Sequence, residues 1–340
     1  LMSKFENFTI KKNEILKGSV YLKDNKKSVD KDEYMISNME HNLSYKHESK
    51  KNKAVNLLDD FKEKFRKYRE DWSLQPKSCI EKKLLGSEMN KEKMTPLCID
   101  IEVASICDLA CPFCYREFVV TPDKIIDEKL CYNLIDQVAD LGVPSMKFNW
   151  RGEPLLNPKI YEYISYAKKK GILETIINTN ATNLTETNSK KLIDSGLDLM
   201  IYSFDGGTKK SYEKMRPGRF KKNKFETVYE NIKNFKFIRD SKNSKLPFTK
   251  IQMILTEDTV DEVENFFDLF DKYVDDVSVN QYTERGGKIS SLTNLELKKY
   301  EFLINKHGLK KGSAYMRDLF GNISVAKGRL ACEQPFQRML

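Results

Sequence analysis

The carboxyl-terminal two-thirds of the sequence alternates between short apolar runs and longer segments of helical periodicity, and this alternation constrains the fold most strongly. The apolar runs predict strands at residues 98–104, 146–150, 175–178, 199–204, 250–255 and 277–280. Between them, helices are predicted at 127–141, 158–170, 186–195, 225–239 and 260–270. A series of β-then-α units implies parallel strands joined by right-handed crossovers. Six units favour an α/β fold of the partial (β/α)6 barrel type over a closed TIM barrel of eight strands.

The first 95 residues lack this alternation and are rich in lysine and asparagine. We expect them to form a largely helical or irregular extension that is partly disordered. One helix is predicted at about residues 54–72, where apolar side chains recur every three or four positions. The sequence thus predicts three parts, namely a basic amino-terminal extension over 1–95, a barrel over 96–290 and a carboxyl-terminal linker over 291–340.

Composition excludes several classes of protein. No run approaches the roughly 20 apolar residues that a membrane span needs, and no secretory signal is visible. We therefore expect a cytoplasmic protein. The formal net charge is +9, but acidic residues are mixed through the basic amino-terminal region, so nucleic-acid binding is not expected.

The seven cysteines are unevenly distributed, because three of them, Cys107, Cys111 and Cys114, fall within eight residues. An odd number of cysteines without an export signal argues against a disulfide framework. The three directly follow the first predicted strand, and chemistry in such barrels gathers in the loops after the strands. Thiols this close together in a reducing compartment indicate metal binding.

Two kinds of metal site are compatible with three neighbouring thiolates. They can bind three irons of one [4Fe–4S] cube and leave the fourth iron open, since the usual complement is four cysteines. A structural zinc site would need a fourth ligand, and the histidines, at 41, 47 and 307, are far away in sequence. A third reading is a chance group of core cysteines, which is how we interpret the separate Cys98 and Cys131.

The cysteine segment, with spacing C-x3-C-x2-C, resembles the signature of the radical S-adenosylmethionine (SAM) superfamily. Three other segments at predicted strand ends strengthen the resemblance. Trp150–Pro154 is similar to the Gly-Gly-Glu motif, Asn178–Ala181 to the Thr-Asn-Gly element, and Ser203–Gly206, followed by Tyr212 and Arg216, to a pattern of the SPASM/Twitch subgroup. Arg151 and Ala181 stand where the family usually has glycine.

The resemblance implies an enzyme in which Cys107, Cys111 and Cys114 hold a [4Fe–4S] cluster. The amino and carboxylate groups of SAM would chelate the open iron. An electron from the cluster would cleave SAM to methionine and a 5′-deoxyadenosyl radical, which takes a hydrogen atom from the substrate. The cofactor carries this chemistry, and the protein positions it. No catalytic side chain is assigned.

Several side chains are expected around SAM on the same resemblance. Gly152 would let the backbone approach the ligand, and Glu153 would accept a hydrogen bond from the methionine ammonium. Arg216 would bind the methionine carboxylate as a charge-assisted fork. The remaining expected contacts are Asn180 and Ser203 with ribose or carboxylate, and Phe113 and Tyr115 beside the cluster or adenine.

Each of these assignments has a structural alternative. Glu153 before Pro154 suits an acid at a helix amino terminus, Arg216 suits a solvated loop, and Ser203 suits a helix cap. The cation of Arg151 at the barrel mouth would meet an anionic substrate.

Cys332 resembles the start of the extension that carries auxiliary clusters in SPASM and Twitch enzymes, where it would be a further cluster ligand. The sequence ends at Leu340 before the additional cysteines that such a cluster needs.

The substrate is not encoded in these motifs. A small molecule such as a sugar or nucleotide sugar is favoured, and a peptide or protein substrate is the alternative. The resemblance also implies an electron donor such as flavodoxin or ferredoxin. The contrasting class is a non-catalytic iron–sulfur or zinc protein that binds a partner.

Overall fold

Parallel strands form the centre of this computed structural model, which describes residues 57–84, 88, 94–117, 122–281, 315–317, 323–325 and 337–339. The strands are β1 (Cys98–Asp100), β2 (Ser145–Lys147), β3 (Glu174–Thr179), β4 (Leu199–Ser203), β5 (Phe248–Leu255), β6 (Asp276–Gln281), β7 (Tyr315–Arg317), β8 (Ile323–Val325) and β9 (Arg338–Met339). Seven of them form one sheet in the order β6-β5-β4-β3-β2-β1-β9, and every neighbouring pair is parallel. β7 and β8 form a separate antiparallel pair.

Helices connect the parallel strands, as the alternation predicted. The predicted connecting helices are α2 (Glu128–Asp140), α3 (Ile160–Lys169), α4 (Glu186–Asp194), α6 (Phe225–Ser241) and α7 (Val263–Phe270). Helix α1 (Leu57–Glu81) precedes the sheet, and the short α5 (Lys209–Met215) was not predicted. The partial-barrel prediction is confirmed. Part of the extension predicted over 1–95, including residues 1–56, lies outside the described residues.

Local sequence sets several helix boundaries. Asp127 caps α2 by accepting a hydrogen bond from the Leu130 amide at 2.8 Å, and Thr185 caps α4 in the same way. β1 and β2 end three or four residues earlier than predicted, at Asp100 and Lys147. The residues that follow turn into loops, where the Ser105 amide donates to the Lys124 carbonyl at 2.9 Å.

The two faces of the sheet differ in polarity, and this difference places the site. Along β5, Ile251, Met253 and Leu255 are fully buried against the helices. The alternate positions of the strands point to the opposite, concave face, which carries Lys147, Asn178, Ser203, Gln252 and Asn280 among its residues. Parallel sheets usually bury apolar side chains on both faces, so the polar concave face needs a functional explanation.

Helix α1 closes the amino-terminal end of the barrel. The buried Tyr68 hydroxyl donates to Glu174 Oε2 at 2.8 Å and contacts Ser145 Oγ at 3.2 Å, at the start of two neighbouring strands. The predicted end of this helix near residue 72 is wrong, because the helix continues to Glu81. Tertiary contact overrides the helix-breaking tendency of Pro76, since Pro76 and Cys79 are buried.

Strand β9 was not predicted, and it extends the sheet beyond β1. Arg338 pairs with both carboxylate oxygens of Asp100 at 3.1 Å. The Gln337 side chain donates to the Trp72 carbonyl at 2.7 Å, which ties β9 to α1. No described helix is both long enough and apolar enough to cross a membrane.

A fully buried ion pair joins α3 to the amino-terminal ends of β3 and β4. Lys168 Nζ lies 2.7 Å from Asp198 Oδ2, and neither side chain is exposed. Asp198 also accepts hydrogen bonds from the amide and hydroxyl of Thr175 at 2.7 and 2.9 Å. Burial raises the pKa of Asp198 to about 6, although Lys168 opposes the shift.

Replacing Lys168 with Met should lower the free energy of unfolding by about 3–5 kcal/mol, because the carboxylate of Asp198 is then buried without its counter-ion. The lost cation raises the folded-state pKa of Asp198 further above its unfolded value. In the variant, Asp198 therefore binds a proton at a higher pH in the folded state than in the unfolded state. The loss of stability relative to the parent should consequently shrink as the pH falls from about 8 to about 5.5.

Urea denaturation of the metal-free protein, followed by circular dichroism, measures both effects. Lys170→Met is the matched control, since Lys170 pairs with Asp136 at the surface with 41% and 38% of the side chains exposed. That control should change stability by less than about 1 kcal/mol. Equal losses of unfolding free energy in the two variants would contradict the stabilising role given to the buried Lys168–Asp198 pair.

Candidate functional site

The cysteine loop lies at the carboxyl-terminal end of the sheet, between β1 and α2, and is held by backbone hydrogen bonds. The Ala110 amide donates to the Pro217 carbonyl at 2.9 Å, and the Arg219 amide donates to the Asp108 carbonyl at 2.7 Å. Leu109 and Gly218 form an antiparallel bridge. The residues between the cysteines are therefore paired with the segment that follows α5.

The three thiols differ in their surroundings. Cys111 is buried, whereas Cys107 and Cys114 are partly exposed. Burial raises the pKa of Cys107 to about 12, with Glu153 adding to the shift. Burial also raises the pKa of Cys111 to about 12, and Arg216 opposes the shift. Thiols with such pKa values become thiolates when a metal takes the place of the proton.

The donor set fits an iron–sulfur cube better than a single ion. Within the described residues, no three His, Cys, Asp or Glu side chains converge to hold one metal ion. A cube does not need such convergence, because each thiolate binds a different iron. Asn180 Nδ2 lies 3.9 Å from Cys107 Sγ, and Arg216 Nη1 lies 4.0 Å from Cys111 Sγ. Such donors to sulfur are typical of cluster sites.

The other described cysteines lie apart from this group. Cys98 and Cys131 are fully buried, and Cys79 Sγ lies 3.2 Å from Met94 Sδ at the end of the barrel that α1 closes. Cys332, the expected auxiliary ligand, lies outside the described residues.

Arg216 reaches the site from the carboxyl end of α5 and is buried. Its Nε donates to Asp205 Oδ2 at 2.8 Å, and Nη2 lies 2.5 Å from the same oxygen. The guanidinium lies 5.5 Å from the centre of the Phe113 ring. The solvated-loop alternative is therefore wrong, and the fork expected on a ligand carboxylate is engaged by Asp205.

Asp205 is a site residue to which the sequence analysis gave no role. Its second oxygen accepts a hydrogen bond from the Ile254 amide at 2.7 Å, and its side chain is almost fully buried. The available signal was the motif Ser203–Gly206, in which a carboxylate follows a buried strand directly.

Glu153 is buried and uses both carboxylate oxygens within the protein. It accepts hydrogen bonds from the Leu155 amide at 3.1 Å, the Thr179 hydroxyl at 2.7 Å and the Asn180 amide at 2.8 Å. The first of these caps a 3₁₀ turn at Pro154–Leu156, which is the helix-acid alternative. Burial raises the pKa of Glu153 to about 7. This carboxylate therefore acts as a brace, defined here as a buried carboxylate whose hydrogen bonds join the loop after one strand, β2, to the end of the next, β3.

Gly152 has a positive φ of +60° and packs directly against Ala104–Ile106, the loop segment that leads from β1 to Cys107. A Cβ atom here would collide with the Ala104 carbonyl oxygen and lie 2.7 Å from that of Ile106. Only glycine satisfies both the conformation and the close approach.

Arg151, next to Gly152, forms a bidentate pair with Glu102. Its Nε and Nη2 donate to the two carboxylate oxygens at 2.6 and 2.7 Å, and its amide donates to Glu102 Oε2 at 3.1 Å. The expectation that this cation meets an anionic substrate needs correction, because Glu102 already neutralises it.

The remaining predicted residues occupy separate places around the mouth. Asn180 donates to Asp108 Oδ1 at 2.8 Å and thus touches the cysteine loop. Ser203 ends β4 on the concave face, paired in register with Gln252. Tyr115 begins a 3₁₀ turn after the last cysteine and is close enough to Arg151 to affect its pKa.

Comparison with known proteins gives a consistent result. The sequence profile of the radical SAM superfamily matches residues 101–270, which is half of the chain. AdoMet-dependent heme synthase from Nitratidesulfovibrio vulgaris is 30% identical over 186 residues, covering 53% of this chain and 46% of that protein. GTP 3′,8-cyclase from Chlorobaculum tepidum is 33% identical over 107 residues, 32% of each chain. The chain thus spans less than half the length of these curated relatives.

Among solved structures, the fold is similar to SuiB from Streptococcus suis bound to its precursor peptide SuiA. The TM-score is 0.52 at 18% identity, covering 76% of this chain and 53% of that chain. This likeness concerns the fold alone.

Gly152→Ala should reduce the iron bound after anaerobic reconstitution several-fold and lower the melting temperature, because the new methyl group displaces the backbone before Cys107. Gly142→Ala is the control, since Gly142 has a similar φ of +68° but no atom within 4 Å of the added Cβ. Iron content and thermal unfolding of both variants measure the difference. If the two variants behaved alike, backbone strain rather than the close contact would be responsible.

Replacing Arg216 with Met should lower both stability and iron content. The change leaves the buried Asp205 carboxylate without its counter-ion and removes the cation beside Cys111. We expect a stability loss of about 3–5 kcal/mol. The double variant Arg216→Met/Asp205→Asn should recover most of the stability but little of the iron. Full recovery of iron in the double variant would show that Arg216 acts only by supporting the fold. Denaturation of the metal-free protein and iron analysis give the two readouts.

Proposed function

This chain belongs to the radical SAM superfamily, and from that premise we propose that it is an enzyme acting on a small, polar substrate such as a sugar or nucleotide sugar. Enzymes of this superfamily use a [4Fe–4S] cluster and SAM. When bound, the cluster and SAM supply a 5′-deoxyadenosyl radical that removes a hydrogen atom from the substrate.

The chain's own residues have three tasks in this proposal. Cys107, Cys111 and Cys114 hold the cluster, and Arg216 balances charge beside the Cys111 thiolate. Glu153 holds the backbone amide of Asn180. The side chain of Asn180 then contacts Cys107 Sγ and Asp108. Of the other expected contacts, Gly152 keeps the backbone close to the cysteine loop. We propose that Phe113, Tyr115 and Ser203 contact SAM.

The polar concave face carries the substrate proposal. Asn149, Asn178, Gln252 and Asn280 present four carboxamides near the carboxyl ends of their strands. Asn149 Oδ1 accepts a hydrogen bond from the backbone amide of Asn178 at 2.7 Å. Gln252 Oε1 accepts one from Asn280 Nδ2 at 3.4 Å. Asn178 Oδ1 is buried without a hydrogen-bond partner among the described residues, and such atoms usually have one.

Carboxamides both donate and accept hydrogen bonds, and so do the hydroxyl groups of sugars. A small polyol can hydrogen-bond to several amides at once. The name of the relative GTP 3′,8-cyclase indicates a nucleotide substrate, which supports this class. The described cysteines are all free thiols, and we propose that the protein works in the reducing cytoplasm.

The test uses anaerobically reconstituted protein with dithionite and SAM, and 5′-deoxyadenosine is measured by chromatography. Without added substrate, slow formation of 5′-deoxyadenosine is expected, and none from the variant in which Cys107, Cys111 and Cys114 are all replaced by Ala. An extract of the source cells should raise the rate, since it contains the substrate.

Protease treatment of the extract distinguishes the substrate classes. Stimulation that survives the protease supports a small polar molecule, and stimulation that the protease destroys indicates a peptide. Gln252→Leu should weaken the stimulated reaction about ten- to a hundredfold, since buried polar groups of the substrate lose a partner. The unstimulated rate should not change. If the triple variant still formed 5′-deoxyadenosine, the cluster assignment itself would be wrong.

A further inference from the structure

A basic loop, Arg219–Lys224, stands out on the surface beside the cysteine loop. Its sequence is Arg-Phe-Lys-Lys-Asn-Lys, with four cations and no acid. All of its residues except Asn223 are exposed, and Phe220 exposes 63% of its surface. An exposed aromatic side chain among cations is the composition typical of an interaction surface.

This loop is rigidly placed. The Arg219 amide is bonded to the Asp108 carbonyl, and Asn223 Nδ2 donates to the Arg216 carbonyl at 2.9 Å and to the Tyr212 hydroxyl at 3.0 Å. The turn between these anchors is tight, because a Cβ on Gly218 would collide with the Lys221 carbonyl. A loop anchored at both ends loses little entropy when a partner binds.

The position of the loop connects the surface to the cysteines. Pro217, Gly218 and Arg219 pair with Ala110, Leu109 and Asp108, which lie between Cys107 and Cys111. A partner on the basic loop would therefore sit next to a segment that is bonded directly to the residues between two cluster ligands. Arg216, at the start of the same segment, already contacts Cys111 from within.

The charge of the loop is only partly neutralised by the protein. Arg219 pairs with Asp123 at 2.8 and 2.9 Å, and Lys222 lies 3.5 Å from Glu213 with 72% of its side chain exposed. Exposed pairs of this kind are weak and screened by salt. An acidic partner can compete for these cations and would be attracted over distance at low salt.

We propose that the basic loop is the docking surface for an acidic one-electron carrier protein. The proposal rests on the proposed function, in which the cluster must receive one electron before each cleavage. The reduced flavin or iron–sulfur centre of the carrier loses one electron, and the cluster gains it. No bond is formed or broken in this step. The cations orient the carrier, and Phe220 provides an apolar anchor at the centre.

The test compares two electron sources in one set of variants. Lys221→Glu/Lys222→Glu reverses two charges in the loop, and Phe220→Ala removes the anchor. Lys129→Glu/Lys169→Glu is the matched control, because it reverses two exposed charges on the outer surfaces of α2 and α3. The probe is a bacterial flavodoxin in its fully reduced form, and dithionite is the small-molecule alternative.

With flavodoxin at low salt, the double loop variant should reduce its cluster at least about tenfold more slowly than the parent, since electrostatic steering changes association rates by that order. The control variant should stay within about twofold of the parent. The parent rate should fall steeply with added salt, and the loop variant should respond weakly. Stopped-flow absorbance of the flavin follows the reaction, and biolayer interferometry with oxidised flavodoxin measures binding to the metal-free chain.

Dithionite separates this proposal from the proposed function. Unchanged iron content and unchanged dithionite-driven formation of 5′-deoxyadenosine in the loop variants would show that the site is intact. Loss of that activity at normal iron content would instead place the loop in the catalytic machinery and overturn docking. Equal rates for the parent and loop variants with flavodoxin, and with a bacterial ferredoxin, would also overturn it. The proposal would also be overturned if the parent bound a labelled RNA hairpin tightly at physiological salt and the loop variant did not, while both reacted with flavodoxin at the same rate.

Discussion

The ion pair between Arg216 and Asp205 joins the parts of the site that must keep their relative positions. Asp205 follows β4 and binds the backbone of β5 through Ile254. Arg216 ends α5, contacts Cys111 and lies beside Phe113. Both charges are removed from water, so each is stable only while the other is present. The carboxyl ends of β4 and β5 and the cysteine loop are consequently fixed as one unit.

Glu153 makes a second brace on the other side of the cysteine loop. Its carboxylate connects the end of β2 to Thr179 and Asn180 at the end of β3, while Gly152 packs on the carbonyls that precede Cys107. In both braces an acid that follows a strand is used for positioning. A carboxylate in a motif at a barrel mouth therefore need not touch the ligand to be required by the site.

The alternation of short apolar runs with helical segments was sufficient to predict the parallel sheet and most of its crossover helices, because buried strands and the helices that cover them have different periods. It did not predict β9, whose two residues are too short to carry a period and are held by Arg338 and Asp100. The cysteine group was visible from spacing alone. The partners of Arg151 and Arg216 were not, because the sequence does not indicate which carboxylate each arginine pairs with, even where that carboxylate belongs to a motif, as Asp205 does. Ion-pair partners depend on the final register of the strands.

On the proposed function, the substrate and the electron carrier bind different residues, the first on the polar concave face and the second on the basic loop. The buried Asn178 Oδ1 lowers stability unless a ligand or water satisfies it, and on the proposed function the substrate supplies that partner. The segment Pro217–Arg219, which leads into the basic loop, is paired with the backbone of Asp108–Ala110. An electron can then enter through the cysteine loop without the carrier occupying the space of the substrate. Radical chemistry needs that arrangement, because a reactive intermediate survives only where competing partners are excluded.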